Sequence, residues 1–141
     1  MPKDSQNVSL DALIPREAFE VQGQQNQNIG RNIDILLIRD LESPFIYPYL
    51  RKPDFQRETN EWDAAKICEF VESFLDGDLI PAAMLWRSSS SYYFVIDGSH
   101  RLSSLIAWIN DDYGDGKISK QFYDGDITEE QKSADLAVRK Q

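Results

Sequence analysis

The longest unbroken apolar runs in this sequence are five residues long, at Ala82 to Trp86, Tyr92 to Ile96 and Leu105 to Ile109. A membrane-spanning helix needs about 20 consecutive apolar residues, so we expect no membrane span. The N-terminus also lacks the apolar core of a signal peptide, and we therefore expect a cytoplasmic protein. The length of 141 residues suits one domain with a hydrophobic core that needs neither disulfides nor a structural metal.

Charge and rare residues exclude several classes of function. The sequence has 15 Lys and Arg against 24 Asp and Glu, a formal net charge of -9, so DNA contact is possible but not supported by the charge. The single cysteine, Cys68, excludes a disulfide framework and a multi-cysteine zinc site. The single histidine, His100, excludes multi-histidine metal sites and an HNH-type nuclease within this chain. An acidic loop does not have EF-hand spacing, and we interpret it as a solvated turn: Asp111, Asp112 and Asp115.

One segment has the periodicity of an amphipathic helix. We predict this helix from Asn60, which can act as its N-cap, to Leu75, with Gly77 as the C-terminal cap. Its apolar residues recur at the spacing of a single buried helix face: Ile67, Phe70, Val71, Phe74 and Leu75.

Two short strands and further helices are predicted around this segment. Residues 45–47 are predicted to be extended because a proline stands on either side. Residues 82–86 and 92–96 are typical of two paired strands joined by a serine-rich turn, and a helix follows at about 99–110. Thr128 begins a capping box for a last helix, which reaches the C-terminus without a stop signal. We therefore expect either a domain truncated at its C-terminus or a final helix with a frayed end.

The first residues are predicted to form an extension, residues 1–30. Within it Ser9 can cap a short helical turn, and Gln22 to Asn28 is a polar low-complexity stretch that we interpret as a linker. The compact domain is predicted to span residues 31–141. It begins with an apolar patch at Ile33 to Ile38, where periodicity does not distinguish a strand from a helical turn.

The most informative stretch is the junction Asp97-Gly98-Ser99-His100-Arg101, between a predicted strand and a predicted helix. Gly98 permits a turn that a Cβ would obstruct, and the free N–H groups and dipole of the helix start favour an anion. Arg101 can bind phosphate oxygens in bidentate fashion, Ser99 adds a hydroxyl, and His100 adds a donor that changes with pH. These residues indicate a phosphate site. The alternative is an ordinary strand–glycine–helix junction in which Asp97 or Ser99 only caps the helix.

The sequence around this junction resembles a known family. Residues 95–105 resemble the DGQQR-type motif of the DUF262 family, which supplies the N-terminal domain of GmrSD-type modification-dependent restriction systems. Residues 53–57, followed by Trp62, are similar to the P-x-Y-Q-R…W element of that family, and residues 77–81 are similar to its G-x-I-P turn. The resemblance implies an α/β (α+β) fold of the ParB/sulfiredoxin type, with a small mixed sheet packed against helices.

In that family the motif lines a nucleotide pocket, and members hydrolyse nucleoside triphosphates in phage defence. The positions that match the motifs are Gln56, Arg57, Asp97, Gly98 and Arg101. Under this hypothesis Arg57 and Arg101 bind phosphate oxygens, while the helix N-terminus at Gly98 cradles one phosphate. Asp97 would hold the Mg²⁺ of the nucleoside triphosphate through water, or orient the attacking water, and Gln56 could position that water.

Ser99-His100 stands where the family has Gln-Gln, and this departure bears on catalysis. His100 could serve as a base near neutral pH, or the activity could be lost. Ser99 also occupies the position of the cysteine in the sulfiredoxin-type motif, so we expect no thiol chemistry.

Three functions remain open on the sequence. The first is a nucleotide-binding, NTP-hydrolysing domain that works with a nuclease in another domain or subunit. The second is a non-enzymatic ParB-like module that binds DNA or a protein. It gains weight if five basic residues share one face: Arg51, Lys52, Arg57, Arg87 and Arg101. The third is a degenerate scaffold that binds no nucleotide.

Overall fold

The computed structural model describes residues 7–19, 38–42, 46–88, 91–125 and 127–141. The strands are β1 (Arg16–Glu17), β2 (Leu50–Pro53), β3 (Met84–Arg87) and β4 (Tyr93–Asp97). The α-helices are α1 (Ala64–Leu75), α2 (Ser99–Asn110), α3 (Lys117–Phe122) and α4 (Glu129–Arg139). Single 3-10 turns lie at Ile38–Leu41 and Tyr47–Tyr49. In the part of the chain so described, no helix has the length and apolar character needed to cross a membrane.

The strands form a small mixed sheet of order β1-β2-β4-β3. β1 and β4 both run parallel to β2, with Leu50 beside Tyr93, and β3 runs antiparallel to β4, with Trp86 beside Phe94. The register of β3 shifts between Met84 and Leu85, close to the end of β4. This sheet with its helices confirms the predicted α/β fold class.

The core joins one face of the sheet to the helices. Strands, helices and the N-terminal segment all contribute side chains that are at most 1% exposed: Val8, Leu10, Leu13, Ile14, Leu50, Ile67, Val95 and Ile106. Burying an aliphatic side chain of this size stabilises a fold by about 1.5–3 kcal/mol. The packing of α1, α2 and the sheet therefore holds the carboxyl end of β4 in place.

Residues 7–17 belong to this same core. The N–H of Val8 donates to the carbonyl of Trp62 (2.8 Å), and the N–H of Leu10 donates to that of Thr59 (2.7 Å). The Ser9 hydroxyl pairs with that of Tyr123 (3.2 Å). The packed unit thus includes residues on the N-terminal side of the boundary predicted near residue 31, because five apolar side chains of this segment are buried. The predicted linker at 22–28 and the apolar patch at 33–37 lie outside the described residues.

A buried ion pair fastens that segment to β2. The side chain of Lys52 is 0% exposed, and its Nζ donates to the carboxylate of Asp11, to the carbonyl of Asp11 (3.0 Å) and to Oγ1 of Thr59 (3.2 Å). A charge enclosed in this way needs such partners to offset its lost hydration. Lys52 is therefore a structural residue and adds nothing to a basic surface.

The local predictions agree with the structure at several elements and fail at others. α2 has the predicted bounds, and Thr128 caps α4 by accepting the N–H of Gln131 (3.2 Å). The predicted start of α1 is wrong. Asp63, not Asn60, is the N-cap and accepts the N–H of Lys66 (2.9 Å), because the preceding residues pair with the N-terminal segment. Tyr47 is wrongly predicted as extended, since it begins a 3-10 turn.

The acidic loop after α2 differs from its prediction. The sequence favours a solvated turn, but the structure buries one of its carboxylates. The carboxylate of Asp112 is buried and accepts the N–H groups of Gly114 (3.0 Å), Gly116 (3.0 Å) and Ser119 (2.8 Å), together with the Ser119 hydroxyl (2.6 Å). Four donors on one carboxylate offset the cost of its burial. Asp112 therefore organises the loop and supports the start of α3, a helix for which the sequence offered no prediction.

Candidate functional site

A cavity of about 190 Å³ lies where β4 ends and α2 begins. Its lining comes from the turn after β2, the residue before α1 and the β4–α2 junction: Gln56, Trp62, Ile96, Asp97, Gly98, Ser99, His100 and Arg101. β2 and β4 are adjacent and parallel, so the residues that follow their carboxyl ends meet at one edge of the sheet. This topology brings Gln56 to the junction.

Gly98 allows the chain to turn from β4 straight into α2. Its φ is +102°, and a Cβ at this position would lie 2.9 Å from the Cβ of Ala83 and 3.1 Å from Nη2 of Arg101. Gly98 is also the N-cap residue of α2, and among the described residues no side chain caps the helix. The alternative in which Asp97 or Ser99 caps α2 is therefore wrong. The N–H groups of the first turn stay available to a ligand.

Gln56 ties the turn after β2 to the end of β4. Its Nε2 donates to the carbonyl oxygens of Val95 (2.7 Å) and Ile96 (3.1 Å). Its Oε1 is enclosed and has no hydrogen-bond partner among the described residues. Gln56 thus has a fixed orientation and one acceptor left over.

Arg101 is held by protein groups on two sides. Its Nη2 donates to the carbonyl of Ala82 (2.8 Å) and lies 3.5 Å from Oδ2 of Asp97. Its Nε is enclosed and has no partner within the described ranges. The Asp97 side chain is 70% exposed, so solvent weakens this ion pair and leaves the carboxylate free to contact a ligand. Arg101 joins the residues before β3 to the junction and places a positive charge beside the cavity.

His100 is anchored to the segment before α1. Its Nε2 accepts the backbone N–H of Glu61 (3.1 Å), and its ring stacks on Trp62 at 5.5 Å between centroids and 25° between planes. Burial lowers the pKa of His100, the charges of Lys52 and Lys66 lower it further, and the Glu61 carboxylate opposes them. The ring therefore favours its neutral form.

Six of the seven predicted site residues line the cavity, and Arg57 does not. Its side chain is 88% exposed and makes an ion pair with Glu61 (3.5 Å), four residues along the chain. Trp62 and Ile96 were not among the predicted site residues, although they line the cavity. The sequence pointed to Trp62 through its place in the upstream element of the family resemblance and as an aromatic residue able to stack a base, although a core role was favoured.

The residues present fit a magnesium ion only if it arrives with a nucleotide. Across the described ranges, no three acidic, histidine or cysteine side chains cluster in a way that could hold a metal ion. Mg²⁺ is commonly bound through one or two carboxylates together with substrate phosphates, and Asp97 offers one exposed carboxylate beside the cavity.

The DNA-binding alternative would gain weight from five basic residues on one face of the molecule: Arg51, Lys52, Arg57, Arg87 and Arg101. The structure does not place them on one face. Lys52 is buried, and Arg101 is mostly enclosed. Arg51 is in register with Phe94 and Arg87 with Tyr93, which are consecutive residues of β4. Because successive residues of a strand point to opposite faces, the side chains of Arg51 and Arg87 leave opposite faces of the sheet.

Comparison with known protein families agrees with the resemblance inferred from the sequence. The family described as GmrSD restriction endonuclease, N-terminal domain, matches residues 37–140, a span that includes every residue lining the cavity. Comparisons with curated proteins and with solved structures gave no match. The matched span is most of the chain, and it connects the protein with restriction and phage defence. The chain belongs to the family of GmrSD restriction endonuclease N-terminal domains.

Proposed function

We propose that this domain binds a nucleoside triphosphate by its phosphates in the cavity at the β4–α2 junction and hydrolyses it. In this proposal it acts in the cytoplasm as the nucleotide-responsive part of a restriction system, with DNA cleavage in a separate nuclease domain or subunit. The main support is that Gln56 and residues 97–101, some 40 positions apart, line one cavity together.

The chemistry of the cavity suits phosphate. Among the described residues no side chain caps the first-turn N–H groups of α2, and the dipole of this helix favours negative charge at its start. Ser99 contributes a hydroxyl and Arg101 a nearby positive charge. The volume of about 190 Å³ is below the roughly 300–1,000 Å³ of pockets that enclose a drug-sized ligand. We therefore propose that the cavity holds the phosphate end, with the base outside.

Hydrolysis would use Asp97 and Gln56. Water attacks the terminal phosphorus, the bond to the bridging oxygen breaks, the proton lost by the water passes to a phosphate oxygen, and a nucleoside diphosphate and phosphate leave. Gln56 has a spare acceptor, Oε1, which could orient the attacking water. Asp97 would hold a hydrated Mg²⁺, which supplies charge neutralisation for the phosphate oxygens when bound. The distribution of basic residues gives no comparable support to a DNA-binding surface.

Nucleotide binding is tested by thermal unfolding with ATP, GTP, CTP and UTP, with and without Mg²⁺, together with phosphate release. A ligand at about 100 times its Kd stabilises the folded state by about 2.7 kcal/mol, so we expect at least one nucleotide to raise Tm by several degrees. Asp97→Asn and Ser99→Ala should reduce that rise and slow phosphate release.

Lys132→Ala is the matched control, because this exposed residue lies on α4, outside the cavity lining, and its ion-pair partner among the described residues is Glu129. We expect it to leave both measurements unchanged. Absence of a shift with every nucleotide at millimolar concentration would overturn the proposal. A salt-dependent mobility shift with duplex DNA would instead support the DNA-binding alternative.

A further inference from the structure

The hydrogen bond between Glu61 and His100 determines where the imidazole carries its proton. A backbone N–H can only donate, so Nε2 of His100, 3.1 Å from the nitrogen of Glu61, must accept and carries no proton. A neutral imidazole with a bare Nε2 has its proton on Nδ1. Nδ1 has no hydrogen-bond partner among the residues that the structure describes.

The surroundings of His100 oppose its positive form. Protonation of Nε2 would place two N–H donors against each other and break the bond from Glu61. Nζ of Lys66 lies 5.0 Å from the centre of the Trp62 indole on which the ring is stacked, so a protonated ring would stand near a second positive charge. Among the charged groups of the described residues that act on the imidazole, Lys52 and Lys66 disfavour the cation, and the Glu61 carboxylate favours it.

These contacts leave the ring without a free lone pair. A general base must accept a proton, but Nε2 is occupied by the N–H of Glu61 and Nδ1 already carries a hydrogen. The ring has one N–H left to donate, and His100 lines the cavity. An oxygen with a negative charge is the acceptor that such a donor binds most strongly.

We propose that His100 is a fixed hydrogen-bond donor of this cavity, whose Nδ1–H binds an anionic oxygen of the ligand, and that it is not a general base. The identity of that oxygen as a nucleotide phosphate rests on the proposed function. Glu61 and Trp62 act as positioning residues, since one sets the tautomer through its backbone and the other sets the plane of the ring.

The tautomer of the His100 ring can be determined directly by NMR, because His100 is the only histidine of the chain. In a long-range ¹H–¹⁵N spectrum of the ¹⁵N-labelled protein we expect a protonated Nδ1 and a bare Nε2 throughout pH 6–8. Inorganic phosphate serves as the probe and should shift the Nδ1 resonance on saturation. A proton on Nε2, an imidazolium at pH 7, or an Nδ1 resonance that ignores phosphate would each overturn the proposal. None of these NMR observations depends on nucleotide hydrolysis. The proposed function and the donor role of His100 can therefore fail independently of each other.

Two variants separate the donor from the ring. His100→Asn keeps an amide N–H near the position of Nδ1, whereas His100→Phe keeps an aromatic ring against Trp62 and has no donor. We expect phosphate or nucleotide affinity to stay within about threefold for His100→Asn and to fall about tenfold or more for His100→Phe. Equal losses in both variants would overturn the donor role.

Phosphate release distinguishes a donor from a base. For a donor, the pH profile of His100→Asn between pH 6 and 8 should have the same shape as that of the unaltered protein. A variant that binds the nucleotide normally but loses hydrolysis, together with a pH-dependent step, would identify a general base instead. Should either variant fail to fold, the spectrum of the unaltered protein still decides the question.

Discussion

At the scale of single residues, Gly98 combines a steric and a conformational requirement. Its φ of +102° is unfavourable for residues with a Cβ, and the space where a Cβ would stand is occupied by Ala83 and by the guanidinium of Arg101. Both requirements arise because β4 passes into α2 through this single residue, directly beside the residues that precede β3. The cavity exists because the turn is this tight.

We expect Gly98→Ala to lower the free energy of unfolding by about 2–4 kcal/mol, since left-handed strain and a steric clash add. Gly125→Ala is the matched control. Gly125 has a φ of +82° and no atom of the described residues within 4 Å of its Cβ position, so only strain of about 1 kcal/mol is expected. Denaturant unfolding of both variants measures the difference. Equal losses would show that the contact with Ala83 costs nothing.

At the scale of elements, α4 carries an unusual buried acid. Asp135 is 0% exposed, and neither of its carboxyl oxygens has a hydrogen-bond partner among the described residues. Burial raises the pKa of Asp135 to about 8, the carboxylates of Asp115 and Asp112 act in the same direction, and Arg139 opposes them. Arg139 also forms ion pairs with Asp111 and Asp115, which anchor the end of α4. The helix therefore docks with a protonated carboxyl group inside.

This buried acid makes stability depend on pH. Between the unfolded pKa of 3.8 and the folded pKa of about 8, the folded state binds the proton more strongly, so stability falls as pH rises through that window. Asp135→Asn removes the ionisable group. We expect it to raise Tm by about 5 °C or more at pH 8 and by much less at pH 5. A gain that is equal at both pH values would contradict the assignment.

At the scale of the whole molecule, the N-terminal segment completes the core. Val8, Leu10, Leu13 and Ile14 are at most 1% exposed, and β1 extends the sheet beside β2. The Asp11–Lys52 pair closes the same contact between distant parts of the chain. The matched family span begins at residue 37, so this segment is an addition to the matched region that the core nevertheless uses.

We therefore expect a chain of residues 31–141 to lose its cooperative fold. Removal of four buried aliphatic side chains, at about 1.5–3 kcal/mol each, approaches or exceeds the 5–15 kcal/mol of stability typical of a domain. Circular dichroism and thermal unfolding provide the measurement. The full chain with Lys132→Ala, a substitution at an exposed residue of α4, is the control and should melt like the unaltered chain. A shortened chain of residues 31–141 that melts at the same temperature as the full chain would refute the expectation.

Much of the local structure near the site could be predicted from the sequence. The bounds of α2, the pairing of β3 with β4 and the cap at Thr128 all follow from residues that are neighbours along the chain. Helix periodicity, strand composition and capping act over a few residues, so a short stretch of sequence is enough to predict them. α3 was not predicted from the sequence. The buried carboxylate of Asp112 stabilises the start of this helix, and such a contact has no periodic signature in the sequence.

The sequence by itself determined that a strand turns at Gly98 into a helix, and that Asp97 to Arg101 stand together, because these residues are contiguous. Only the tertiary structure decided which distant residues join them. The parallel pairing of β2 with β4 brings Gln56 to the cavity, while Arg57, the next residue, points into solvent. The contacts of the N-terminal segment bury Lys52 and hold residues 59–62 where Glu61 and Trp62 position His100. Such long-range contacts depend on how the surfaces of elements fit, which no local pattern of residues encodes.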